Sequence, residues 1–326
     1  MSWTTTNLDF LDIEISTSCN AHCIDCNRLT QKSHNEFVVR PWHKFLNKHY
    51  PVEQFKKHFD QFGKPDSIVL CGNSGDPMAH PQVDEICSII RRHCPDSDIE
   101  IETNGSLGKR TVFKKLVDLN VRVKFSIDGL EDTNHIYRRN VKWSSVMDNA
   151  KYFIEQGGKA TWDTIDFVHT AHQMDEIKQT AEKMGFHKFE VTQRFTPTYD
   201  DIIPKLAHEK PKVVDEFPFK VEKKLHNNYK ITPQCMGKTG TNKSLYIESN
   251  GTVWPCCTIA QIVYKKDSID HYTWLEYNKK YGEGWNDLNK KPLEDILATE
   301  FFSDLQQSWN EDILLDSCKE ECGACV

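Results

Sequence analysis

The first 200 residues alternate between short strand-like runs and segments with helical spacing. Phe113, Leu116 and Val117 share one helical face, and Gly157 and Gly185 stand where helices commonly end. The six strand-like runs are Phe10–Ile15, Ser67–Cys71, Asp98–Glu102, Arg122–Ile127, Thr161–Val168 and Lys188–Thr192. Strands that alternate with helices are typical of a parallel α/β architecture. Because six units fall short of the eight of a closed barrel, the pattern predicts a partial (β/α)6, TIM-like half barrel.

The pattern changes after residue 200. Between Asp200 and Gln234, four prolines lie among many lysines and glutamates, which indicates a connector. Two short strands, Leu245–Glu248 and Thr252–Trp254, then flank Asn250-Gly251, a pair typical of two-residue hairpin turns. A late amphipathic helix follows, with these residues on one side: Leu293, Ile296, Leu297, Phe301 and Leu305. We therefore expect a small β-hairpin plus helix domain after the half barrel.

Composition limits where the chain works and what it binds. Twelve cysteines in 326 residues are too few for a disulfide-built secreted scaffold. We find no signal peptide, and so expect a cytoplasmic protein, where clustered cysteines more often bind metal. No stretch approaches the roughly 18 apolar residues of a membrane span. The formal net charge of −7 argues against a nucleic-acid binder, which is usually basic.

Three cysteines follow the first strand with the spacing Cys19-x3-Cys23-x2-Cys26. Three thiolates on one short loop can bind one metal centre. A four-iron cluster normally has four cysteine ligands, so three leave one iron open, and an open position is where a metal centre does chemistry. The alternative is a structural zinc site, completed by His22 or by a distant residue.

In this place the triad resembles the hallmark of the radical S-adenosylmethionine (radical SAM) superfamily. Segments similar to further motifs of that family follow the next three strands: Ser74-Gly75-Asp76-Pro77, Thr103-Asn104-Gly105 and Ser126-Ile127-Asp128-Gly129. The resemblance covers roughly Leu8 to Thr196. The sequence departs from the family at Asp25, where an aromatic residue is frequent, and at Asp76, where glutamate is usual.

The resemblance implies a mechanism and a set of ligands. Cys19, Cys23 and Cys26 would hold a 4Fe–4S cluster, and SAM would bind its open iron. One electron, from a flavodoxin- or ferredoxin-like donor, would cleave SAM to a 5′-deoxyadenosyl radical that abstracts hydrogen. The implied SAM contacts are Ser74, Gly75 and Asp76 at the ammonium group, Asn104, Ser126 and Asp128 near the ribose or the methionine, and Arg194 at a carboxylate.

Several of these residues also have ordinary structural interpretations. Ser126 and Asp128 suit helix caps, and Arg194 suits a solvated surface. Phe167 and Val168 on the fifth strand are more typical of core than of adenine contacts. The basic segment of Tyr137, Arg138 and Arg139 either faces substrate or forms a solvated patch.

The remaining cysteine cluster lies in the last third of the chain. Cys235 and Cys256 bracket the hairpin, which resembles the start of the SPASM and twitch extensions of radical SAM enzymes. A full SPASM domain has more cysteines than the six found here, and this favours the shorter twitch form with one auxiliary 4Fe–4S cluster. The implied ligands are Cys235, Cys256, Cys318 and Cys322, with Cys325 as the alternative to Cys318. A zinc ribbon is the alternative site.

These features define the expected organisation and function. We expect a radical SAM core over residues 1–200, a linker over 201–234 and an auxiliary-cluster domain over 235–326. Cys71, Cys87 and Cys94 are expected to be core residues. The predicted activity is hydrogen abstraction from a peptide or small polar metabolite, with oxidation, epimerisation or cross-linking as the result. The alternatives are a radical SAM enzyme that modifies RNA, which the acidic charge disfavours, and a non-catalytic, zinc-stabilised binding protein.

Overall fold

The computed structural model describes residues 3–6, 8–23, 26, 28–33, 36–39, 48–192, 229–231, 235, 243–264, 268–309 and 315–325. Within these ranges the strands are β1 (Leu8–Ile13), β2 (Leu29–Ser33), β3 (Glu36–Val39), β4 (Ser67–Leu70), β5 (Asp98–Thr103), β6 (Val121–Ser126), β7 (Ala160–Ile165), β8 (Lys188–Thr192), β9 (Tyr229–Ile231), β10 (Lys243–Ile247), β11 (Val253–Trp254) and β12 (Gly323–Cys325). The helices are α1 (Val52–Phe59), α2 (Val83–His93), α3 (Arg110–Asp118), α4 (Asn134–Tyr137), α5 (Trp143–Glu155), α6 (Met174–Met184), α7 (Cys257–Ile262), α8 (Ile269–Tyr281), α9 (Leu293–Leu297), α10 (Glu300–Ser308) and α11 (Asp316–Cys322).

The main sheet has eight strands in the order β11-β10-β1-β4-β5-β6-β7-β8. The strands from β10 to β8 run parallel, and β11 pairs antiparallel with β10. The six strands predicted from the sequence are β1 and β4 to β8, and helices connect β4 to β8 in turn. The predicted partial barrel of parallel strands and helices is therefore confirmed.

The two faces of this sheet differ in polarity. On β5, Ile99 is fully buried, whereas Glu100 and Glu102 belong to the opposite face by strand alternation. On that face, Lys124 of β6 lies 3.2 Å from Glu102 and 3.3 Å from Glu190 of β8. Because β7 lies between β6 and β8, the contact with Glu190 spans a concave surface. The curved sheet thus encloses a polar interior, which we call the lumen.

The predicted hairpin is present, but it extends the barrel instead of forming a sheet of its own. β10 pairs in parallel with β1, and β11 pairs with β10. The loop has three residues instead of the expected two, since Glu248 N donates to Thr252 O at 2.9 Å. Gly251 adopts a left-handed φ of 91°, which is the conformation that a three-residue hairpin loop places at one position.

The late helix predicted around residues 293–305 is two helices, α9 and α10. Thr299 has extended backbone, with ψ at 147°, and begins α10. The five apolar residues that led to the prediction are nevertheless all buried, at 5% exposure or less. The burial pattern was therefore predictable, whereas the break at Thr299 was not.

The predicted linker, residues 201–234, lies outside the described residues except for β9. This strand pairs antiparallel with β12, and Tyr229 stands opposite Cys325. Part of the linker is thus joined to the segment that carries the last cysteine, and the expected domain boundaries stay a prediction. Among the described residues, no helix has the length and apolar character that crossing a membrane requires.

Candidate functional site

The cysteine triad lies on the loop that follows β1, at the carboxyl end of the parallel strands. Loops from two other strand ends hold its backbone. Asp76 N donates to Ser18 O at 2.8 Å, and His22 N donates to Arg139 O at 2.9 Å. The side chain of His22 is exposed. Barrel enzymes build their active sites from the loops at this end of the sheet.

Of the three thiols of the triad, that of Cys23 is buried and those of Cys19 and Cys26 are half-buried. Burial raises the pKa of Cys19 to about 12 and that of Cys23 to about 11. The guanidinium of Arg28 opposes this shift, because its positive charge acts on both thiols. Arg28 is itself 8% exposed and donates to Ala21 O at 2.6 Å. A buried cation among cysteines stabilises the thiolate form that binds metal.

Hydrogen-bond donors also point at the sulfur atoms. Ala21 N lies 3.3 Å from Cys19 Sγ, and Asn104 Nδ2 lies 3.6 Å from the same atom. Arg138 Nη1 lies 3.9 Å from Cys23 Sγ. Hydrogen bonds to sulfur are one means by which proteins set the properties of iron–sulfur clusters. Three thiols with cationic and N–H donors around them therefore fit a 4Fe–4S cluster.

The loop after β4 approaches the triad so closely that it needs a glycine. A Cβ atom at Gly75 would overlap with the carbonyl oxygen of Ser16. The neighbouring Ser74 is half-buried, and its N–H donates to Glu14 Oε2 at 2.8 Å. Glycine at position 75 thus allows the predicted SAM-binding loop to pack directly on the triad loop.

Asp76 lies beneath this loop and is 2% exposed. Its carboxylate accepts hydrogen bonds from Met78 N, Thr103 Oγ1 and Asn104 N, each at 2.9 Å. It therefore joins the first two predicted SAM motifs by ordering their backbones. This use of the carboxylate indicates that the loop would meet a SAM ammonium group mainly through carbonyl and hydroxyl oxygens.

Asp128, after β6, is fully buried. Its Oδ1 accepts from Ile165 N at 2.7 Å, and its Oδ2 accepts from Arg138 Nε at 2.5 Å. Asp128 therefore orients Arg138, which lies beside Cys23. Sequence reasoning placed Arg138 in a segment facing substrate or solvent and missed this position. An arginine ten residues after the aspartate of the Ser-Ile-Asp-Gly motif gives no signal by itself that its side chain lies at the triad.

The interpretation of Tyr137, Arg138 and Arg139 as a solvated patch is wrong. Tyr137 is 7% exposed and packs on Phe167 at a ring distance of 4.5 Å, and Arg139 is 8% exposed. Phe167 is core, as expected, whereas Val168 is 68% exposed and is not core. Ser126, at the end of β6, is half-buried. Arg194 lies outside the described residues.

The auxiliary cysteines come together at the other end of β1. Ser244 Oγ lies 3.2 Å from Cys235 O and 3.4 Å from Pro255 O, so it joins the segments that carry Cys235 and Cys256. α11, with Cys318 and Cys322, packs against α7, which begins right after Cys256. Asp270 of α8 fixes α11 by accepting from its first backbone N–H groups, Asp316 N at 2.6 Å and Ser317 N at 3.2 Å.

The electrostatics of these thiols shows that they are neighbours. Burial is the main cause that raises the pKa of Cys235, and negative charge on Cys318 and Cys322 raises it further. The pKa of Cys256 is raised by burial first and then by Cys257, Cys235 and Cys318. Four of the predicted ligands thus share one buried region. The side chain of Cys325 lies outside the described residues.

The chemistry of this donor set fits a cluster bound by several thiolates. Across the described ranges, no three His, Cys, Asp or Glu side chains lie close enough together to hold a single metal ion. Cys71, Cys87 and Cys94 are 3% exposed or less, which confirms the prediction that they are buried.

Comparisons with known proteins agree with these two sites. The model of the radical SAM superfamily matches residues 13–184, and that of the SPASM iron–sulfur cluster-binding domain matches residues 235–325. No curated protein matches the chain. The two family matches imply SAM and 4Fe–4S clusters, which confirms the predicted cofactors.

Solved structures share the fold at low sequence identity. SuiB of Streptococcus suis bound to its precursor peptide SuiA is 14% identical, with 93% of this chain and 67% of that chain covered and a TM-score of 0.59. The protein anSMEcpe with bound AdoMet is 14% identical, with 90% and 82% covered and a TM-score of 0.57. The crystal structure of SuiB by itself is also similar, with 16% identity and a TM-score of 0.52. That match covers 78% of this chain and 61% of SuiB.

The radical SAM model covers more than half of the chain, and it includes the triad and the three following motifs. The SPASM match begins at Cys235 and includes the hairpin and α11. The chain therefore belongs to the radical SAM superfamily and carries a C-terminal SPASM domain.

Proposed function

We propose that this chain cleaves SAM reductively and uses the 5′-deoxyadenosyl radical to abstract a hydrogen atom from a peptide. Oxidation, epimerisation or cross-linking of the peptide is the outcome, and a small polar metabolite is the alternative substrate. The observation that carries the proposal is the meeting of three thiols, two guanidinium groups and N–H donors at the carboxyl end of β1. Cys19, Cys23 and Cys26 would hold a 4Fe–4S cluster, which would supply the electron for SAM cleavage.

The surrounding residues bind and orient SAM. The Ser74-Gly75 loop packs on the triad loop and offers oxygen acceptors to a cationic group. Arg138 is held by Asp128 beside Cys23, where its guanidinium can pair with the SAM carboxylate. Asn104 fixes Cys19 and lies at the end of β5, next to the expected ribose site. Arg194 keeps its proposed role as a second carboxylate partner.

A peptide substrate is supported by the structural neighbours. SuiB is described with a precursor peptide, and anSMEcpe with AdoMet and a peptide. Both share their fold with this chain at TM-scores of 0.56 or more. The net charge of −7 favours such a substrate over RNA.

The second cysteine group would hold one auxiliary 4Fe–4S cluster through Cys235, Cys256, Cys318 and Cys322. These residues lie at the amino end of β1 and β10, opposite the triad. An auxiliary cluster there would be placed to take up an electron from a substrate radical or to help bind substrate. A flavodoxin- or ferredoxin-like protein in the cytoplasm is the proposed electron donor.

The test is an anaerobic purification followed by metal and product analysis. We expect about eight iron atoms per chain with matching sulfide, four for each cluster. Replacement of Cys19, Cys23 and Cys26 with alanine should leave about half of the iron. With reductant and SAM, the unaltered protein should release 5′-deoxyadenosine slowly without substrate, and the triple variant should release none.

A matched variant controls for the loss of cysteines as such. Replacing the buried Cys87 and Cys94 with alanine should change neither iron content nor 5′-deoxyadenosine release. A colourless zinc protein without sulfide would overturn the proposal. So would 5′-deoxyadenosine release that persists in the triad variant.

A further inference from the structure

A cavity of about 480 Å³ lies between the auxiliary cysteines and the lumen side of β1 and β10. Its lining includes Cys235, Cys256 and Cys257 at one end and Asp12 and Tyr246 at the other. Phe10 and Pro255 contribute apolar surface to the wall. We call this space the lumen cavity. It combines an apolar passage with a polar inner end.

The ionisable groups that line the lumen cavity are mostly acidic. Asp9, Asp12 and Asp66 contribute carboxylates, and Lys243 is the basic residue among the lining residues. The Lys243 ammonium group lies over the ring of Trp3, 5.0 Å from its centre, and its charge acts on Cys235. Thiolates at the auxiliary site add further negative charge.

The inner end of the cavity has carboxylate oxygens without a partner. Tyr246 OH donates to Glu14 Oε2 at 3.1 Å, and the Cys71 thiol donates to the same atom at 3.8 Å. Glu14 is 1% exposed, and its other oxygen, Oε1, has no hydrogen-bond partner among the described residues. The same is true of Asp12 Oδ1, two residues earlier on the lumen side of β1.

These carboxylates lack the compensation that other lumen carboxylates have. Lys124 contacts Glu100, Glu102 and Glu190, and Arg122 contacts Glu100. No lysine or arginine within the described ranges forms an ion pair with Asp12 or Glu14. Burial raises the pKa of Asp12 to about 7, and a nearby cation would lower it again.

Buried carboxylates without partners are costly unless a ligand satisfies them. A single metal ion is not favoured, because the described His, Cys, Asp and Glu residues form no group suited to one. An organic cation with an apolar stem matches both the acidic inner end and the apolar wall.

We infer that the lumen cavity is a subsite for a cationic group of the substrate, an ammonium or guanidinium such as that of a lysine or arginine side chain, paired with Asp12. This inference rests on the proposed function, and it narrows the substrate to one with a basic side chain. Tyr246 lines the cavity opposite Asp12 in the strand register, and Glu14 lies behind the lining and accepts from the Tyr246 hydroxyl, so these two act as positioning residues.

The experiment uses the reconstituted holoenzyme with SAM and two matched probes. These are the Nα-acetyl N-methylamides of lysine and of norleucine, which differ by the ammonium group. Isothermal titration calorimetry should show that the lysine probe binds about tenfold more tightly than the norleucine probe, because one charge-assisted contact contributes about that much affinity. Asp12→Asn should bring the two affinities within about twofold of each other, and Asp12→Glu should restore part of the preference.

Controls separate this inference from the proposed function. Asp118→Asn, at an exposed carboxylate of α3, should leave the preference for lysine unchanged. Iron content and circular dichroism report whether each Asp12 variant is folded. If Asp12→Asn does not fold, Asp66→Asn at the exposed edge of the cavity gives a second test of the preference for lysine. Failure to release 5′-deoxyadenosine would refute the proposed function whichever probe binds. Equal binding of the probes, binding of neither, or a preference that survives in folded Asp12→Asn would overturn the cation subsite.

Discussion

Asp128 holds the guanidinium of Arg138 against Cys23. Arg138 Nε donates to Asp128 Oδ2 at 2.5 Å, and Nη1 of the same group lies 3.9 Å from Cys23 Sγ. A fully buried carboxylate thus fixes the direction of a cation next to a predicted cluster ligand. The pairing accounts for the burial of the aspartate in the Ser-Ile-Asp-Gly motif at the end of β6.

Arg138→Lys should weaken SAM binding by about tenfold, because lysine keeps the charge but cannot bond Asp128 and a carboxylate in one planar arrangement. The measurement is equilibrium dialysis of SAM with the reconstituted protein. Arg110→Lys is the control, since Arg110 stacks on Tyr152 of α5, away from the triad. Equal SAM affinity in the two variants would contradict a role for Arg138 in binding.

Asp128→Asn should lower the free energy of unfolding by about 3 kcal/mol, because it leaves the Arg138 charge without its buried partner. Urea denaturation of the two proteins at the same pH measures the difference. Asp118→Asn removes an exposed partner of Lys114 and should cost well under about 1 kcal/mol. If Asp128→Asn lowered the free energy of unfolding as little as Asp118→Asn does, the buried pair of Asp128 and Arg138 would contribute little to stability.

Gly75→Ala should abolish detectable SAM binding, because the added methyl group would force the loop away from Ser16. Gly157→Ala is the matched control. Gly157 has a φ of 90° and no atom within 4 Å of an added Cβ, so that variant should cost only about 1 kcal/mol of stability and leave SAM binding intact. Calorimetric titration of both variants with SAM distinguishes them, and normal binding by Gly75→Ala would show that the loop can move.

The sequence predicted the barrel well because its signal is local. Alternating strands and helices identify β1 and β4 to β8 without any tertiary information, and the triad and its motifs fall at their carboxyl ends. The parallel pairing of β10 with β1 could not be foreseen, since it joins residues more than 200 positions apart. Hydrophobic spacing also spans the break at Thr299, because both helices bury the same kind of side chain.

The sequence predicts ligands for the candidate site but not the contacts that surround them. The cysteine spacing predicts Cys19, Cys23 and Cys26 as ligands, whereas the place of Arg28 and Arg138 beside their thiols depends on the packing of loops. In the sequence, the lumen carboxylates Asp12 and Glu14 are recognisable only as alternate residues of a strand. Only the structure, in which β4 and β10 flank β1, shows that Asp12 Oδ1 and Glu14 Oε1 are buried there without a hydrogen-bond partner among the described residues.

Cys318→Ser should remove the auxiliary cluster and about half of the iron, since Cys318 is 7% exposed and its charge acts on Cys235 and Cys256. Cys325→Ser should leave the iron content unchanged if Cys318 is the ligand. Iron analysis and the 5′-deoxyadenosine assay, which needs only the triad cluster, are run on both variants. The opposite outcome, with iron lost only in Cys325→Ser, would assign the fourth position to Cys325.

Glu248 should make stability depend on pH. Burial raises its pKa to about 7, although Trp254 Nε1 and Tyr264 OH donate to it at 2.9 and 3.2 Å. In the unfolded chain the group ionises near its usual value of about 4.5. Between these two values the folded protein binds more protons than the unfolded chain, so the free energy of unfolding falls as pH rises, by about 3 kcal/mol.

Glu248→Gln removes this titration, so the variant should gain stability relative to the unaltered protein as pH rises from about 5 to 7, and the gain should level off above that range. Urea unfolding at pH 5, 6, 7 and 8 measures the difference for both proteins. Glu155→Gln, an exposed position on α5, should show no such trend. A difference for Glu248→Gln that is the same at every pH would show that the carboxyl group does not change its protonation on unfolding.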